Sequence, residues 1–282
     1  MQAAHVASLV QYACLLEASA PKPGNVSPAQ HFHDMRYEDF LTSAAAIGPA
    51  FAQIDSCGLG ETVLAATNAT RAVVHTNTNL GITLLLAPLA KAAVDPRPGD
   101  LRTRTRRVLD ESTSADAAAV YAAIRLAAPG GLGHAPREDV QEIPTSTLLQ
   151  VMQLAAHRDT VAAEYASGFE VTFEIGAPTL SAALEAGLDW NAAIVECALA
   201  LLTAVPDTLI ARKLGAKAAA SVQQEAAMVC RVGGVRTAEG RAALERFDAR
   251  LRDPANRRNP GTTADLVAAA CFVVIFGRAY PQ

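Results

Sequence analysis

The chain has 282 residues, a formal net charge of −4 at pH 7, 51% hydrophobic residues and 18% charged residues. This mild acidity gives no reason to expect nucleic acid or an anionic membrane as a partner, and the hydrophobic content is enough for a sizeable core. Alanine, a strong helix former, is abundant and aromatic residues make up only 5%, so the composition favours an all-α protein.

The N-terminus has no basic stretch followed by a long apolar run, so it does not predict a signal peptide. The longest apolar run, Leu80 to Val94, is shorter than the ~20 residues that a membrane-spanning helix needs, and it is expected to form a buried central helix. The five cysteines show neither a CxxC pair nor metal-ligand spacing. Free thiols and a cytoplasmic location without membrane association are therefore expected, with Cys14, Cys197 and Cys271 buried.

Apolar residues recur at three- and four-residue steps along most of the chain. They predict helices over 5–19, 37–51, 60–75, 80–94, 101–128 (two helices), 145–166, 178–186, 190–204, 207–230, 237–251 and 262–277. The alternating run at 170–175 is typical of a strand, but a lone strand cannot make a sheet. We therefore expect a single-domain multi-helix bundle over 1–282, with a cleft lined by the loops between helices.

The first polar loop, PKPGNVSPAQHFHDM (21–35), carries the strongest candidates for anion binding. Lys22 lies between two prolines that stiffen its backbone, which suits a phosphate contact. His31, His33 and Asp34 cluster nearby and could bind a metal, although two histidines and one acid are a weak signal. Taken alone, the residues of this loop favour a solvated loop with a hydrogen-bonded turn over a binding site.

The second polar segment, HTNTNLG (75–81), precedes the apolar helix. Asn77 and Asn79 point the same way if the segment is extended. Asn79 could instead cap the helix that starts at Leu80, and a helix N-terminus that is capped in this way can also bind anions. Taken alone, the pattern favours capping.

Two further segments are typical of the start of a helix. In PDTLIARKLGAK (206–217), Asp207 lies near the positive end of a helix that Gly215 could break, and a basic face including Arg212 follows. In NPGTTADL (259–266), Thr262 and Asp265 are spaced like a capping box, and Gly261 would allow close backbone approach to a phosphate. Residue spacing alone predicts only a helical protein with an anion site.

The residues of these segments and their order along the chain indicate a family resemblance. EASAPKPGNV (17–26), HDM (33–35), VPDT (205–208) and NPGTTADLVAA (259–269) together resemble the signature segments of the triphosphoribosyl-dephospho-CoA synthases. The resemblance runs from about residue 8 to 276. It departs where that family usually has NTHKG, because Asn79 and Leu80 replace the histidine and lysine, and the basic run that commonly follows the D-T motif is absent.

The resemblance implies an ATP-dependent pentosyl transferase that moves the 5-triphosphoribosyl group of ATP to an acceptor hydroxyl, of dephospho-CoA in the family, and releases adenine. A carboxylate would stabilise the oxocarbenium-like transition state and Mg²⁺ would accompany the triphosphate. The implied catalytic residues are Asp207, Asp265 and Glu17, with Glu17 either orienting Lys22 or acting as a base. Implied substrate- and phosphate-binding residues are Lys22, Gly24, Asn25, His33, Asn77, Asn79, Arg212, Gly261 and Thr262. Implied metal ligands are Asp34, Asp207 and Asp265.

Two alternatives stay open at this point. The same chemistry could serve another acceptor, such as a precursor of a methanopterin-type C1 carrier, because the NTHKG residues are lost. A non-catalytic helical nucleotide-binding module is the alternative from another class. The sequence also leaves a homodimer open. If the site assignment is right, 21–35, 75–81, 205–213 and 259–266 must line one cleft.

Overall fold

The computed structural model describes residues 2–131 and 133–280, and α-helices account for most of them. The α-helices are α1 (Ala3–Ser19), α2 (Tyr37–Ala46), α3 (Gly48–Phe51), α4 (Leu59–Val73), α5 (Leu80–Val94), α6 (Leu101–Asp110), α7 (Ser114–Ala127), α8 (Leu148–Ala155), α9 (Thr160–Ser167), α10 (Ala177–Glu185), α11 (Trp190–Ala204), α12 (Thr208–Leu214), α13 (Ala216–Arg231), α14 (Ala238–Leu251) and α15 (Gly261–Ala279). The described ranges contain no β-strand, which confirms the all-α prediction.

Two apolar helices, α5 and α15, pack against each other at the centre of the main core. In α5 every residue from Ile82 to Ala90 is buried, and α15 is buried from Leu266 to Phe272. Helices α1, α10 and α11 pack around α15, and α4 and α6 pack around α5. Because each fully buried leucine or valine contributes about 1.5–3 kcal/mol, this pair supplies much of the stability of the fold. The predicted buried central helix is confirmed, and α15 is a second one.

By length and composition α15 could cross a membrane, but 72% of its apolar window is buried inside the protein. Helices α11 and α12 pass the same test only when they are counted together, and they are bent by 57° relative to each other. Burial against other helices is what a core helix shows.

Three predicted helices are each divided in two. The 37–51 helix breaks at Ile47, before Gly48 starts α3, and the 207–230 helix breaks at Gly215, whose φ of +89° ends α12. The 145–166 helix breaks before Asp159, whose carboxylate accepts the backbone N–H of Ala162 and so starts α9. Local cap and glycine chemistry decides these breaks, since the apolar spacing continues across them.

The strand-like run at 170–175 is helical, ending in a π-helical turn over Thr172–Gly176 that leads into α10. The cause is Glu164, a buried side chain whose carboxylate accepts the backbone N–H groups of Val171 and Thr172, both at 2.9 Å. These bonds satisfy the first free donors of a helix and start a new helical segment after Phe169, which has a φ of +64°.

A smaller core lies on the other face of α11, against α12, α13 and α14. The loop after α1 packs onto this core. Gly24 donates its N–H to Asp248 of α14 at 2.7 Å, and Arg252 donates to the carbonyl of Asn25 at 3.0 Å. Gly24 has a φ of +74°, and a Cβ there would lie 2.8 Å from Leu251 and 2.9 Å from Pro260. The loop can therefore approach α14 this closely only with glycine at position 24.

We expect Gly24→Ala to destabilise the fold by at least about 2 kcal/mol, because it adds both a left-handed-backbone penalty and a packing clash. Thermal unfolding of the purified variant measures the effect. Gly130→Ala is the control, since no heavy atom lies within 4 Å of a Cβ at that position and no positive φ is required there. Equal melting temperatures for the two variants would contradict the packing role of Gly24.

Candidate active site

One cleft of about 730 Å³ receives residues from all four segments that the sequence analysis singled out. The first loop contributes Asn25, Phe32 and Asp34; the second contributes 75–81; the third contributes Leu209, Arg212 and Lys213; and the fourth contributes Asn259, Gly261, Thr262 and Asp265. These segments are up to 240 residues apart in the sequence, as the numbers of Asn25 and Asp265 show. The prediction that they line one cleft is confirmed.

The 75–81 segment is held rigidly by short polar bonds. Asn77 accepts the N–H of Leu80 at 3.1 Å, so Asn77 caps α5, while Asn79 occupies the N-cap position without making the cap bond. Asn79 instead donates to Thr70 of α4 at 3.1 Å. Thr78 pairs with Ser43 of α2 at 2.5 Å. The segment therefore caps α5 as predicted, but the capping residue is Asn77 and not Asn79.

Lys22 does not line the cleft. Its side chain is 1% exposed, and its ammonium pairs with the carboxylate of Glu17 at 2.9 Å and bonds to the carbonyls of Glu17 and Ala20. These three acceptors use all of its donors, so its position does not support the predicted phosphate contact. Glu17 does line the cleft, and Lys22 orients it.

The other predicted residues of the first loop differ in position, because some pack on α14 or face solvent and others line the cleft. Gly24 packs on α14, outside the cleft lining, and its N–H is already bonded to Asp248. Asn25 lines the cleft and donates to the carbonyl of Pro23 at 3.3 Å. His33 and Asp34 are both more than half exposed, and only Asp34 reaches the cleft.

Asp207 joins two helices instead of facing the cleft. Its side chain is 2% exposed, and one carboxylate oxygen accepts the N–H groups of Leu209 and Ile210 at the start of α12. The other oxygen accepts the N–H and the hydroxyl of Thr263 in α15, both at 2.8 Å. With four donors on its carboxylate, Asp207 has no capacity left for substrate or metal, and the predicted catalytic and metal roles are not supported by this geometry.

Threonines extend this junction to a third helix. Thr208 donates its hydroxyl to Thr262 at 3.2 Å and accepts the N–H of Thr160 at the start of α9, also at 3.2 Å. Thr262 is inside α15, because Pro260 is the N-cap residue, so the predicted capping box with Asp265 is wrong. Gly261 lines the cleft, but its N–H bonds to the carbonyl of Asn259 at 2.9 Å and so is not free for a phosphate.

Asp265 lies in the second turn of α15 and projects into the cleft. In the described part of the chain it has neither an ion-pair nor a hydrogen-bond partner. Its removal from water, followed by the nearby charges of Glu17 and Asp207, raises the pKa of Asp265 well above its usual range. A carboxyl group that keeps its proton more readily than usual and opens on a cleft is suited to proton transfer.

The cleft also contains charged residues that sequence reasoning missed. Arg71 lies in the last turn of α4, and Arg158 and Asp159 lie between α8 and α9. Asp159 forms an ion pair with Arg212, so the predicted phosphate-binding arginine is both in the cleft and oriented by an acid. The Asp-Thr pair at 159–160 is a helix-start signal that would have revealed this loop, whereas nothing in the sequence marks Arg71.

An apolar wall completes the cleft. Phe32, Phe40, Ile124, Met152 and Val161 line it together with the polar groups. Small-molecule sites combine such apolar surface with a few placed polar groups, and their volumes are typically about 300–1,000 Å³. The cleft is large enough for a nucleotide.

The acids predicted to bind Mg²⁺ do not form a magnesium site by themselves. Asp34 is exposed, Asp207 is fully hydrogen-bonded, and only Asp265 remains as a partly buried carboxylate in the cleft. Among the residues that the structure describes, no group of three histidine, cysteine, aspartate or glutamate side chains could hold a metal ion.

Comparisons with known proteins identify the family. The family model described as ATP:dephospho-CoA triphosphoribosyl transferase matches residues 3–281. A protein of Pseudomonas savastanoi named probable 2-(5''-triphosphoribosyl)-3'-dephosphocoenzyme-A synthase is 29% identical over 133 residues, 44% of this chain and 45% of that protein. The protein of that name from Klebsiella pneumoniae is 32% identical over 106 residues, 38% of this chain and 37% of that one. These alignments thus span less than half of the curated relatives.

A solved structure resembles most of the fold. The crystal structure of a protein from Archaeoglobus fulgidus, provisionally named triphosphoribosyl-dephospho-CoA synthase, superposes with a TM-score of 0.65 at 28% identity. The superposition covers 83% of this chain and 97% of that one.

We expect Asp207→Ala to cost about 3–5 kcal/mol, because it leaves several buried donors at the α12–α15 junction without an acceptor. Thermal unfolding compares it with Asp189→Ala, which removes an exposed N-cap from α11 and should cost about 1 kcal/mol. If the two variants melt alike, Asp207 is an ordinary cap.

Asp265→Asn should change stability in a pH-dependent way. Because the folded state holds the Asp265 proton at a pH where the unfolded state, with a pKa of about 3.9, has lost it, the acid makes the wild type less stable as the pH rises above about 4. Asparagine carries no such cost. In melts recorded from pH 4 to pH 8, the variant should therefore start close to the wild type and gain on it as the pH rises. A constant gap across this range, or a wild type that gains on the variant with rising pH, would contradict the raised pKa.

Proposed function

The chain belongs to the ATP:dephospho-CoA triphosphoribosyl transferase family, and on that premise we propose that it transfers the 5-triphosphoribosyl group of ATP to an acceptor hydroxyl and releases adenine. The observation that carries the proposal is the convergence of four distant polar segments on one cleft, around the unpaired carboxyl group of Asp265. A binding module has no need for an unpaired acid in that position, since leaving it there costs stability.

The reaction breaks the bond between C1′ of the ribose and the adenine nitrogen, and the electron pair leaves with the base. A carboxyl group of the protein donates its proton to the leaving adenine nitrogen. The acceptor oxygen then bonds to C1′, and the proton that it loses restores that carboxyl group. Positive charge builds on the ribose in between, and a nearby carboxylate stabilises it. The buried Glu17 and the partly buried Asp265 are the two carboxyl groups that line the cleft in position for these roles.

The two carboxyl groups have different surroundings, which suggests a division of work. Glu17 is paired with the buried ammonium of Lys22 at 2.9 Å, which fixes its position. Asp265 has no such cation and keeps its proton more readily. We assign proton transfer to Asp265 and electrostatic stabilisation of the ribose to Glu17.

The triphosphate would contact the cations of the cleft, Arg71, Arg158, Arg212 and Lys213. The N-terminus of α5 also opens on the cleft without an acidic cap, which favours an anionic ligand there. Mg²⁺ is expected to arrive as the counter-ion of ATP, held mainly by the phosphates, because the residues that the structure describes offer no complete set of ligands. The cytoplasm, where ATP is abundant, is the proposed location.

A second candidate keeps the chemistry and changes the acceptor. Asn79 and Leu80 stand where the resembling family usually has histidine and lysine, and both line the cleft. Neither side chain carries a charge. Leu80 is apolar and 6% exposed, and the amide of Asn79 is bonded to Thr70, so neither can form an ion pair with a phosphorylated acceptor. An acceptor with fewer negative charges than dephospho-CoA would fit this wall better.

The test is adenine release from ATP, measured with dephospho-CoA, with other hydroxyl acceptors and with no acceptor. We expect release to depend on an acceptor and to fall about 10²–10³-fold in Asp265→Asn, the usual effect of removing one preorganised electrostatic group. Asp110→Asn, on the exposed end of α6, is the matched control and should keep full activity. No adenine with any acceptor, or an Asp265→Asn enzyme as fast as the wild type, would refute the proposed function.

A further inference from the structure

Gly81 is the point at which the buried helix α5 meets the cleft. It is partly exposed, whereas the nine residues that follow it are buried. The carboxyl group of Asp265 lies directly over it. An ideal Cβ on Gly81 would be 2.0 Å from Oδ2, 2.4 Å from Cγ and 2.8 Å from Oδ1 of Asp265, so it would collide with every atom of that carboxyl group.

Nothing else in the described chain holds this carboxyl group in place. Glu17 is fixed by Lys22 and Asp207 by four donors, but Asp265 has no bonded partner. Its orientation is therefore set by packing, and the surface it packs on is the bare backbone of α5 at Gly81. Backbone approach this close requires a residue without a Cβ.

We infer that Gly81 is a positioning residue for the reaction: by lacking a side chain it provides the seat on α5 that aims the Asp265 carboxyl group at the substrate. The inference rests on the proposed function, in which Asp265 transfers the proton. An added methyl group at position 81 is accommodated by rotation of the Asp265 side chain, because the clashing atoms are its free end. The fold is retained and the reacting group is displaced.

A double-mutant cycle tests this. The variants are Gly81→Ala, Asp265→Ala and the pair together, assayed for adenine release under single-turnover conditions and for thermal unfolding. We expect Gly81→Ala to lower kcat about 10–10²-fold with little change in KM for ATP, since a displacement of about 1 Å at a reacting group has this effect. In the Asp265→Ala background the same change should leave the residual rate unaltered, because no carboxyl group remains to be displaced.

Thermal unfolding gives a readout that does not depend on any substrate. Gly81→Ala should lower the melting temperature in the wild type. In the Asp265→Ala background it should leave the melting temperature unchanged or raise it, since alanine is the better helix former. Gly277→Ala in α15 is the matched control: it is also helical, a Cβ there meets nothing within 4 Å, and it should leave kcat unchanged in both backgrounds.

The outcomes separate the two proposals. Equal effects of Gly81→Ala on melting in both backgrounds would overturn the seat on α5, whether or not the enzyme is active. An active enzyme in which Gly81→Ala keeps the wild-type kcat would overturn the positioning role. A wild type that releases no adenine, but shows the coupling in melting temperature, would show that the Asp265 carboxyl group packs on Gly81 and would refute the proposed function.

Discussion

The cleft depends on the carboxylate of Asp207. It binds two N–H groups of α12 with one oxygen and two donors of Thr263 with the other, so it fixes the start of one helix against the start of another. The neighbouring threonines extend the junction to α9. The cleft-facing ends of these helices come from distant parts of the sequence, and the buried carboxyl group of Asp207 sets their relative positions.

Three carboxyl groups near the cleft illustrate how surroundings divide similar residues into different tasks. Asp207 is saturated with donors, Glu17 is neutralised by a buried lysine, and Asp265 is left unpaired. Unpaired burial is costly, and such groups concentrate where a reaction needs them. The difference between the three residues comes from their tertiary contacts, since each of them lies in a segment that resembles a signature segment of the family.

The sequence predicted the helices better than the directions of side chains. The bounds of α5 and α11 were correct to the residue, because long apolar patterns with clear ends determine them. The segments of the cleft were also correct. The sequence did suggest that Glu17 and Lys22 interact, but only the folded chain shows that this pair is buried and that Lys22 lies outside the cleft. Asp159 was missed because apolar spacing ran across its loop. Arg71 had no local signal at all.

The two-sided packing of α11 has a consequence for how the molecule opens. One face of α11 belongs to the main core and the other to the small core with α13 and α14. The loop that forms one wall of the cleft is tied to α14 through Asp248 and Arg252. A fluctuation that unfolds the small core alone would release that wall while α5 and α15 stay intact. This wall of the cleft and the small core therefore belong to one cooperative unit. A ligand that fills the cleft would stabilise this unit, so amide exchange in α14 would slow, although α14 itself does not line the cleft.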